Sequence, residues 1–389
     1  MFFYRYPVQE KILLLGANLA QGGAQAVLMN LAAWIHQQKV PVVAAFMYDR
    51  DGLASEWQAA HPFPVMCLDA WQRGGSDLRR MIKFTTGWLR LVGWMRRERF
   101  SAILTFTHDM NLVGLPAAWL AGIPCRYASH HNRYPSLTAS RIRLHRWIMN
   151  SWIALGLVAV SRFTQAEAVA EGIDPKRVIV IDNGVAPLKP DAAQASALRN
   201  EMLAPAGTRL VLSVGRLVPQ KAQQVLIQAA EIVIRSFPWT RFVIAGEGPE
   251  REALQSQIAQ SGLGEGVRLL GARTDIPELL AASDLFVLSS SSEGMPVALL
   301  EAMASGLAVV TTRVGGMPDV ISDGETGILV PPQDPFALAG AICKVLQDDD
   351  LRLRLGLSAK ALIEKEFSLE KMGKKYLDLL SCKSSVNIP

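Results

Sequence analysis

Residues 285–311 read LFVLSSSSEGMPVALLEAMASGLAVVT. The four apolar residues 285–288 suit a strand buried on both faces of a parallel sheet, where polar alternation is not needed. Four serines and the Glu293-Gly294 pair then form a turn. Pro296 fits the first position of a helix, where its missing N–H leaves nothing unsatisfied. The helix runs through Leu299 to Met303 and stops at Gly306, a residue suited to the left-handed position after a helix end. Residues 308–311 are a second apolar run. A strand, a tight turn, a helix and another strand form a βαβ unit, which predicts a parallel sheet.

The same rhythm extends in both directions. Apolar runs at 210–214, 242–245 and 267–270 precede this unit. The first half carries runs at 11–16 (KILLLG), 42–47, 102–106, 126–129, 156–160 and 178–181, with helix-like segments between them. A Gly-rich turn at 18–23 follows the first run, and a helix bearing Ala26, Met29, Asn30, Ala33 and Trp34 follows that. Residues 183–190 break the pattern with Gly184, Pro187 and Pro190, and residues 191–206 read as a helix-bearing linker. Beyond about residue 336 the chain is mostly helical. The expected fold is α/β, with two Rossmann-like doubly wound parallel-sheet domains facing a cleft. Residues 1–187 form the first domain and 188–366 the second. Residues 367–389 form a C-terminal helix and tail that can pack back on the first. The length of 389 residues fits this division, at roughly 100–200 residues per domain.

Composition removes several classes. Hydrophobic residues are 50% and charged residues 19% of the chain, which excludes disorder. Cys67, Cys125, Cys343 and Cys382 lie far apart without a CxxC pair, so neither a disulfide framework nor a cysteine zinc site is expected, and a reducing compartment fits. The longest continuous apolar run, 152–160, falls short of the roughly 20 residues needed to cross a bilayer. The first residues, MFFYRYPVQEK, do not resemble a signal peptide. A cytoplasmic protein is expected.

Four segments of the second half carry chemistry. In SVGRLVPQK (213–221), Arg216 stands at a strand's carboxyl end and Lys221 where the next helix begins. Two fixed cations there suit a diphosphate, although two solvated loop cations would look the same. In IAGEGPER (244–251), Gly246-x-Gly248 has Arg251 where a dinucleotide fingerprint has its third glycine. A nicotinamide dehydrogenase is therefore poorly supported, and the turn reads as one that lets backbone approach a nucleotide. In the opening stretch, the helix start offers free N–H groups and a partial positive charge. Glu301, inside that helix, can accept two hydrogen bonds from a vicinal diol such as a ribose. Glu293 stands in the turn ahead of it. Alone, each glutamate reads as an ordinary helix or turn charge. The fourth segment, TRVGGMPDV (312–320) with ISDGETGILV (321–330), is a Gly-rich loop and a turn-rich excursion. Gly315-Gly316 would let the chain pass close to a nucleotide.

Together these residues resemble the retaining glycosyltransferases of family 4, the glycosyl transferases group 1, whose fold is GT-B. The resemblance rests on Gly215-Arg216, Lys221, AGEGP (245–249), the Glu293/Glu301 pair, EAMASG (301–306) and TGILVPP (326–332). It extends more weakly over GGAQ (22–25), AVS (159–161) and IDNGV (181–185). It implies that Arg216 and Lys221 bind the diphosphate of a UDP- or GDP-linked sugar, and that Glu301 binds its ribose. Glu293, with Gly294, Met295 and Pro296, would hold the transferred sugar, while Gly215, Gly246 and Gly248 shape the donor site and Gly22 and Gly23 line the first domain's site. The family's histidine near sugar and acceptor falls in Ser129-His130-His131-Asn132. His131 is favoured, with His130 and His108 as further candidates. The reaction implied is metal-independent and needs no cofactor. The sugar would move with retention to a hydroxyl of a glycan or a polyprenyl- or other lipid-linked acceptor, in polysaccharide, glycolipid or lipopolysaccharide synthesis. A covalent step at Glu293 ranks lower than hydroxyl recognition. A nucleotide-sugar 2-epimerase of the same fold and a non-catalytic glycosyltransferase-like subunit are the alternatives. The chain departs from the family pattern at Gly294-Met295, where an aromatic is common, and at Ala222, where glycine is common.

Charge is uneven along the chain. Residues 73–162 hold 14 Arg and Lys against three acidic residues, a net +11, so with +5 overall the remainder is −6. Residues 78–97 read as a helix with Leu78, Met81, Ile82, Thr85, Leu89, Val92 and Met95 on one face and Arg79, Lys83, Arg90 and Arg97 on another. Phe84, Trp88, Trp94, Trp147 and Trp152 are interleaved with the basic residues. Three readings stand open: a solvated basic face, peripheral contact with an anionic membrane at the inner face of the cell membrane, and nucleic acid. The last is disfavoured because no nucleic-acid motif appears.

Overall fold

The computed structural model describes residues 10–19, 22–49, 52–68, 77–131, 138–202 and 207–382, with backbone alone over 77–83. Asn132, the centre of the 18–23 turn, the end of the 191–206 linker and the side chains of Leu78, Arg79, Met81, Ile82 and Lys83 lie outside the described residues. The chain forms two compact units: residues 1–184 with 369–389, and residues 185–368.

In unit 1 the strands are β1 (Ile12–Leu19), β2 (Val42–Asp49), β3 (Val65–Cys67), β4 (Ala102–Phe106), β5 (Cys125–His130), β6 (Gly156–Ala159) and β7 (Val178–Val180). Its helices are α1 (Gly23–Gln37), α2 (Ala54–Ala60), α3 (Asp77–Glu98), α4 (His108–Ala121), α5 (Ala139–Asn150) and α6 (Arg162–Ala170). The sheet order is β3-β2-β1-β4-β5-β6-β7, and every pairing is parallel.

Unit 2 opens with α7 (Ala192–Met202), then β8 (Arg209–Val214), α8 (Gln223–Ser236), β9 (Thr240–Ala245), α9 (Arg251–Gln260) and β10 (Val267–Gly271). It continues with α10 (Ile276–Ala282), β11 (Leu285–Leu288), α11 (Val297–Ala304), β12 (Ala308–Thr312), α12 (Met317–Val320), β13 (Ile328–Val330), α13 (Pro335–Gln347) and α14 (Asp349–Glu366). Its parallel sheet runs β10-β9-β8-β11-β12-β13. The last helix, α15 (Leu369–Leu380), belongs to unit 1, where Tyr376 is fully buried.

The central strands are wholly enclosed: β4, β11 and β12 bury every residue. Helices cover both faces of such a sheet, so their apolar runs do not alternate. The two expected units and their central strands are present. The sequence reading omits β3 and β13, edge strands of three residues each, too short to carry a period.

The α3 reading needs correction. Leu91, Val92 and Met95 are buried, whereas Leu89 is 57% exposed and Thr85 is exposed. The buried stripe includes Gly87 and Leu91, a rotation the polar and apolar spacing did not reveal.

One disulfide departs from the cysteine expectation. Cys125, at the start of β5, and Cys382, just after α15, form a disulfide across 257 residues with Cα atoms 6.1 Å apart. The return of α15 onto unit 1 creates this proximity. α15 packs on α1, and a Cβ at Gly373 would meet the Trp34 ring at 2.3 Å, so the glycine permits the close approach.

Candidate active site

Each sheet reverses its strand order once, between β1 and β4 in unit 1 and between β8 and β11 in unit 2. Ligands of open parallel sheets bind outside the carboxyl ends of strands at such a reversal. Gly22 and His108 follow β1 and β4 at the first, and Arg216, Lys221 and Glu293 follow β8 and β11 at the second, while His130 ends the adjoining β5 with His131 just after it, and Gly246 and Gly248 follow the adjoining β9.

In unit 2, β8 ends at Val214 and delivers Gly215 and Arg216. The Arg216 side chain is exposed, and its guanidinium makes no hydrogen bond or ion pair among the described residues. A single 3₁₀ turn, Pro219–Lys221, then precedes α8. Ala222 enters that helix at φ 49° and ψ 40°, a left-handed conformation that costs a non-glycine residue about 1–2 kcal/mol.

β11 ends in four serines that stitch this turn in place. Ser289 Oγ donates to the carbonyls of Lys221 (3.1 Å) and Ala222 (3.0 Å). Ser291 N donates to Gln220 O at 2.8 Å, and Gln220 Nε2 donates to Ser292 O at 2.7 Å. Ser290 Oγ donates to Glu293 Oε1 at 2.7 Å, while Thr312 Oγ1 on β12 donates to Ser290 O at 2.5 Å. Sequence reasoning assigned no role to these side chains. The run of serines itself was the available signal.

Lys221 and Glu293 form an ion pair of 2.5 Å between Nζ and Oε1. Both side chains are largely out of water, at 16% and 6% exposure. Both bonds to Glu293 go to Oε1, so Oε2 is left without a hydrogen bond among the described residues. Gly316 N donates to Glu293 O at 3.1 Å.

Pro296 is the N-cap of α11, with φ −73° and ψ 126°, rather than its first helical residue. No side chain caps this end, so its N–H groups stay available to an anion. Gly306 closes the helix at φ 82°, as expected.

Glu301 lies on α11 and is largely enclosed rather than on the surface. Burial pushes its carboxyl up to about 7. Its carboxylate has no hydrogen-bond partner among the described residues. A partnerless carboxyl beside an uncapped helix can accept from a diol.

Three of the predicted glycines stand where site loops touch one another. A Cβ at Gly246, where φ is 151°, would sit 1.9 Å from Gly215 O, and one at Gly248 2.2 Å from Leu217 O. A Cβ at Gly315, with φ 54°, would sit 1.7 Å from Glu293 O. Each glycine therefore lets one site loop pack on another, fixing Arg216 and Glu293 in place.

In unit 1 the predicted residues gather as imidazoles. Gly22 is the extended N-cap of α1, followed by Gly23, and no side chain caps that helix. Thr107, at φ 78°, precedes His108, the first residue of α4. His108 packs on His145 of α5, with ring centroids 4.4 Å apart. Thr105 Oγ1 donates to Asn111 Oδ1 at 2.7 Å, which leaves Asn111 Nδ2 as donor to Ser129 O and His145 Nε2, both at 3.3 Å. His145 Nε2 is thus an acceptor and its proton sits on Nδ1. His131 stacks on Phe106 at 5.3 Å, with Nε2 2.6 Å from Ser129 Oγ. Burial pushes His108 and His130 down to about 4 and His131 and His145 down to about 3; Arg141 adds to this at His108 and Asp109 opposes it, while at the other three the crowded neighbouring imidazoles further disfavour a proton. All four rings are neutral at pH 7. His145 is a member that sequence reasoning missed. Its helix reads as basic and amphipathic, and nothing in its spacing points inward.

Among the described residues no group of three or more His, Cys, Asp or Glu could hold a metal ion.

Comparison with known proteins places these two units. Residues 195–362 match the family model described as glycosyl transferases group 1, and residues 22–184 match the glycosyl transferase 4-like domain. The chain is 29% identical over 309 residues to the UDP-Gal:alpha-D-GlcNAc-diphosphoundecaprenol alpha-1,3-galactosyltransferase of Escherichia coli, covering 77% of this chain and 80% of that one. It is 35% identical over 185 residues to the lipopolysaccharide core biosynthesis glycosyltransferase LpsE of Rhizobium meliloti (strain 1021), covering 48% and 53%. Among solved structures, Anabaena Alr3699/HepE in complex with UDP-glucose superposes with a TM-score of 0.84, at 24% identity over 95% of this chain and 99% of that one.

Proposed function

We propose that this chain, which belongs to the group 1 glycosyltransferases of the GT-B fold, transfers a sugar from a nucleoside-diphosphate sugar to a hydroxyl of a lipid-linked or polysaccharide acceptor, with retention of configuration. The observation that carries the reading is the Lys221–Glu293 pair at the strand-order reversal of unit 2, flanked by the free Arg216 and the partnerless Glu301. The name of the Escherichia coli relative, which acts on a sugar linked to diphosphoundecaprenol, supports a lipid-linked acceptor and a UDP-linked donor.

In this reading the bond between the sugar's anomeric carbon and the β-phosphate oxygen breaks, and its electron pair stays on the phosphate. Arg216, Lys221 and the uncapped start of α11 meet that charge. Lys221 has three donors, one of which is given to Glu293, so two remain for phosphate oxygens. Glu293 Oε2 is left for the hydroxyls of the transferred sugar. Glu301 accepts from the ribose diol. The acceptor hydroxyl attacks on the face the phosphate leaves, and the phosphate takes its proton. We assign His131, with His130 and His108, to the acceptor side on unit 1. Their neutral rings can orient a hydroxyl without adding charge.

The test is release of nucleoside diphosphate from a panel of nucleotide-sugars, with and without a polyprenyl-diphosphate sugar acceptor. Release that depends on acceptor, with an α-linked product from an α-linked donor by NMR, is expected. Conversion of the donor without acceptor would instead point to an epimerase, and no turnover with any donor to a binding subunit. An Arg216→Ala variant within a few-fold of wild type would remove the assigned diphosphate role.

A further inference from the structure

α3, α4 and α5 pack side by side, α4 touching both neighbours. Their outer surface at one end of unit 1 is apolar and basic together. Trp152 is 70% exposed, Trp147 57%, Trp119 42% and Leu120 41%. Single exposed apolar residues are ordinary, but several tryptophans on adjoining segments are not.

This exposure is built rather than loose. Arg126 donates to the carbonyls of Trp152 (2.8 Å), Ile153 (2.7 Å), Ile123 (2.5 Å) and Pro124 (2.9 Å), which clamps the loop bearing Trp152 to the loop after α4. Arg96 on α3 donates to Leu120 O at 2.8 Å and ties α3 to the end of α4. The tryptophans therefore stand on a fixed frame while their rings remain in water.

The charge around them is predominantly basic. α5 reads ASRIRLHRWIMN and contains no acidic residue. Arg97, Arg143 and Arg146 are exposed, and their guanidinium groups make no hydrogen bond or ion pair among the described residues. The two carboxylates of α3 and α4 in the described part of this layer are already neutralised, Glu98 by Lys11 and Asp109 by Arg141. Asp174, tied to Asn150 through its backbone, directs its carboxylate to Lys176 N.

We propose that this face is a docking surface for an anionic lipid bilayer, with Trp147 and Trp152 seated in the headgroup region and Arg97, Arg143 and Arg146 on anionic lipid phosphates. Tryptophan favours the membrane–water boundary because its ring is apolar and its N–H is polar. Unpaired arginines beside it add electrostatic attraction to anionic lipid. No described helix is long and apolar enough to cross a membrane, so the contact is peripheral. The surface is distinct from the residues assigned to transfer, and its test needs neither donor nor acceptor.

The experiment is sedimentation of the full chain with vesicles of neutral phosphatidylcholine, alone and with 30% phosphatidylglycerol by mole. Binding to the anionic vesicles that weakens with salt, with a blue shift of tryptophan emission, is expected. Trp147→Ala with Trp152→Ala should lower the partition coefficient at least tenfold, and Arg143→Glu with Arg146→Glu likewise. Trp239→Ala, a 51%-exposed tryptophan of unit 2, should leave it unchanged. Thermal midpoints within 2 °C of wild type confirm that the variants are folded. No binding, equal binding to both vesicle types, or equal loss with Trp239→Ala would overturn the proposal. So would a concentration-dependent dimer in solution that the double tryptophan variant dissolves, since a second copy would then be the occupant.

Discussion

Unit 1 sets Gly22 and His108 at its strand-order reversal with the His130–His131 corner on the next strand, and unit 2 sets Arg216, Lys221 and Glu293 at its reversal with Glu301 on the helix that follows. The topology is the same and the chemistry differs. Unit 2 carries formal charges and manages them three ways. One cation stays in water, one pairs with a buried carboxylate, and Glu301 is pushed up to about 7 by burial. Unit 1 carries imidazoles that shed their protons when buried, so it holds donors and acceptors with little net charge. A parallel sheet thus specifies where a ligand sits, while the first residues beyond each strand specify whether the place suits a pyrophosphate or a neutral hydroxyl.

The contrast makes opposite predictions for acid. The ordinary histidine value is 6.5, and the four rings titrate at about 4 or 3 in the folded chain. The unfolded chain takes up protons first, so stability of unit 1 is full above 6.5 and falls as pH drops toward 4. His108 alone is worth about 3 kcal/mol across that window. In unit 2 the sign reverses: Glu301 rises from 4.5 to about 7, so its contribution is full below 4.5 and lost as pH climbs through 7. Hydrogen exchange resolved by unit should show unit 1 losing protection between pH 7.5 and 5 while unit 2 keeps or gains it. Parallel loss in both units would break the comparison.

The next largest effect concerns the buried pair. Lys221→Met should lower transfer by roughly 10²–10³-fold. It should also destabilise unit 2 by about 3–5 kcal/mol, because Glu293 is left charged without its partner. Adding Glu293→Gln should restore the thermal midpoint but not the activity. Recovery of activity in the double variant would show that the pair is only structural.

Glu301→Gln comes third. It should stabilise the free protein at pH 8 by an amount approaching about 3 kcal/mol, with most of the gain lost by pH 5. At the same time it should raise the donor KM with kcat nearly unchanged. Denaturant titrations at the two pH values, and isothermal titration with nucleoside diphosphate, check both halves.

Ser290→Ala is the smallest. Glu293 loses one charge-assisted hydrogen bond of 2.7 Å, worth about 1.5–3 kcal/mol, and transfer should fall by less than tenfold if Lys221 alone can hold the carboxylate. A loss as large as that of Lys221→Met would move Ser290 into the centre of the site.

Much of unit 2 was legible in residues 285–311. Strand β11, the turn and α11 follow from short-range rules, because apolar runs, proline and glycine act within a few residues of themselves. Pro296 fell one position outside the predicted helix for the same reason, since its fixed φ serves an N-cap as well as a first turn. Gly246 and Gly315 were legible as special positions, but the loop contacts that require glycine there were not. What they clear is the backbone of loops distant in sequence.

By itself the sequence determined the βα rhythm, the two units and the set of charged residues at the strand ends, since each depends on neighbours along the chain. Tertiary structure alone decided that Lys221 meets Glu293, that His145 joins His108, and that Cys125 meets Cys382 across 257 residues. Contacts of that kind come from how strands order within a sheet and how the last helix returns to unit 1, and no local pattern of residue types encodes either.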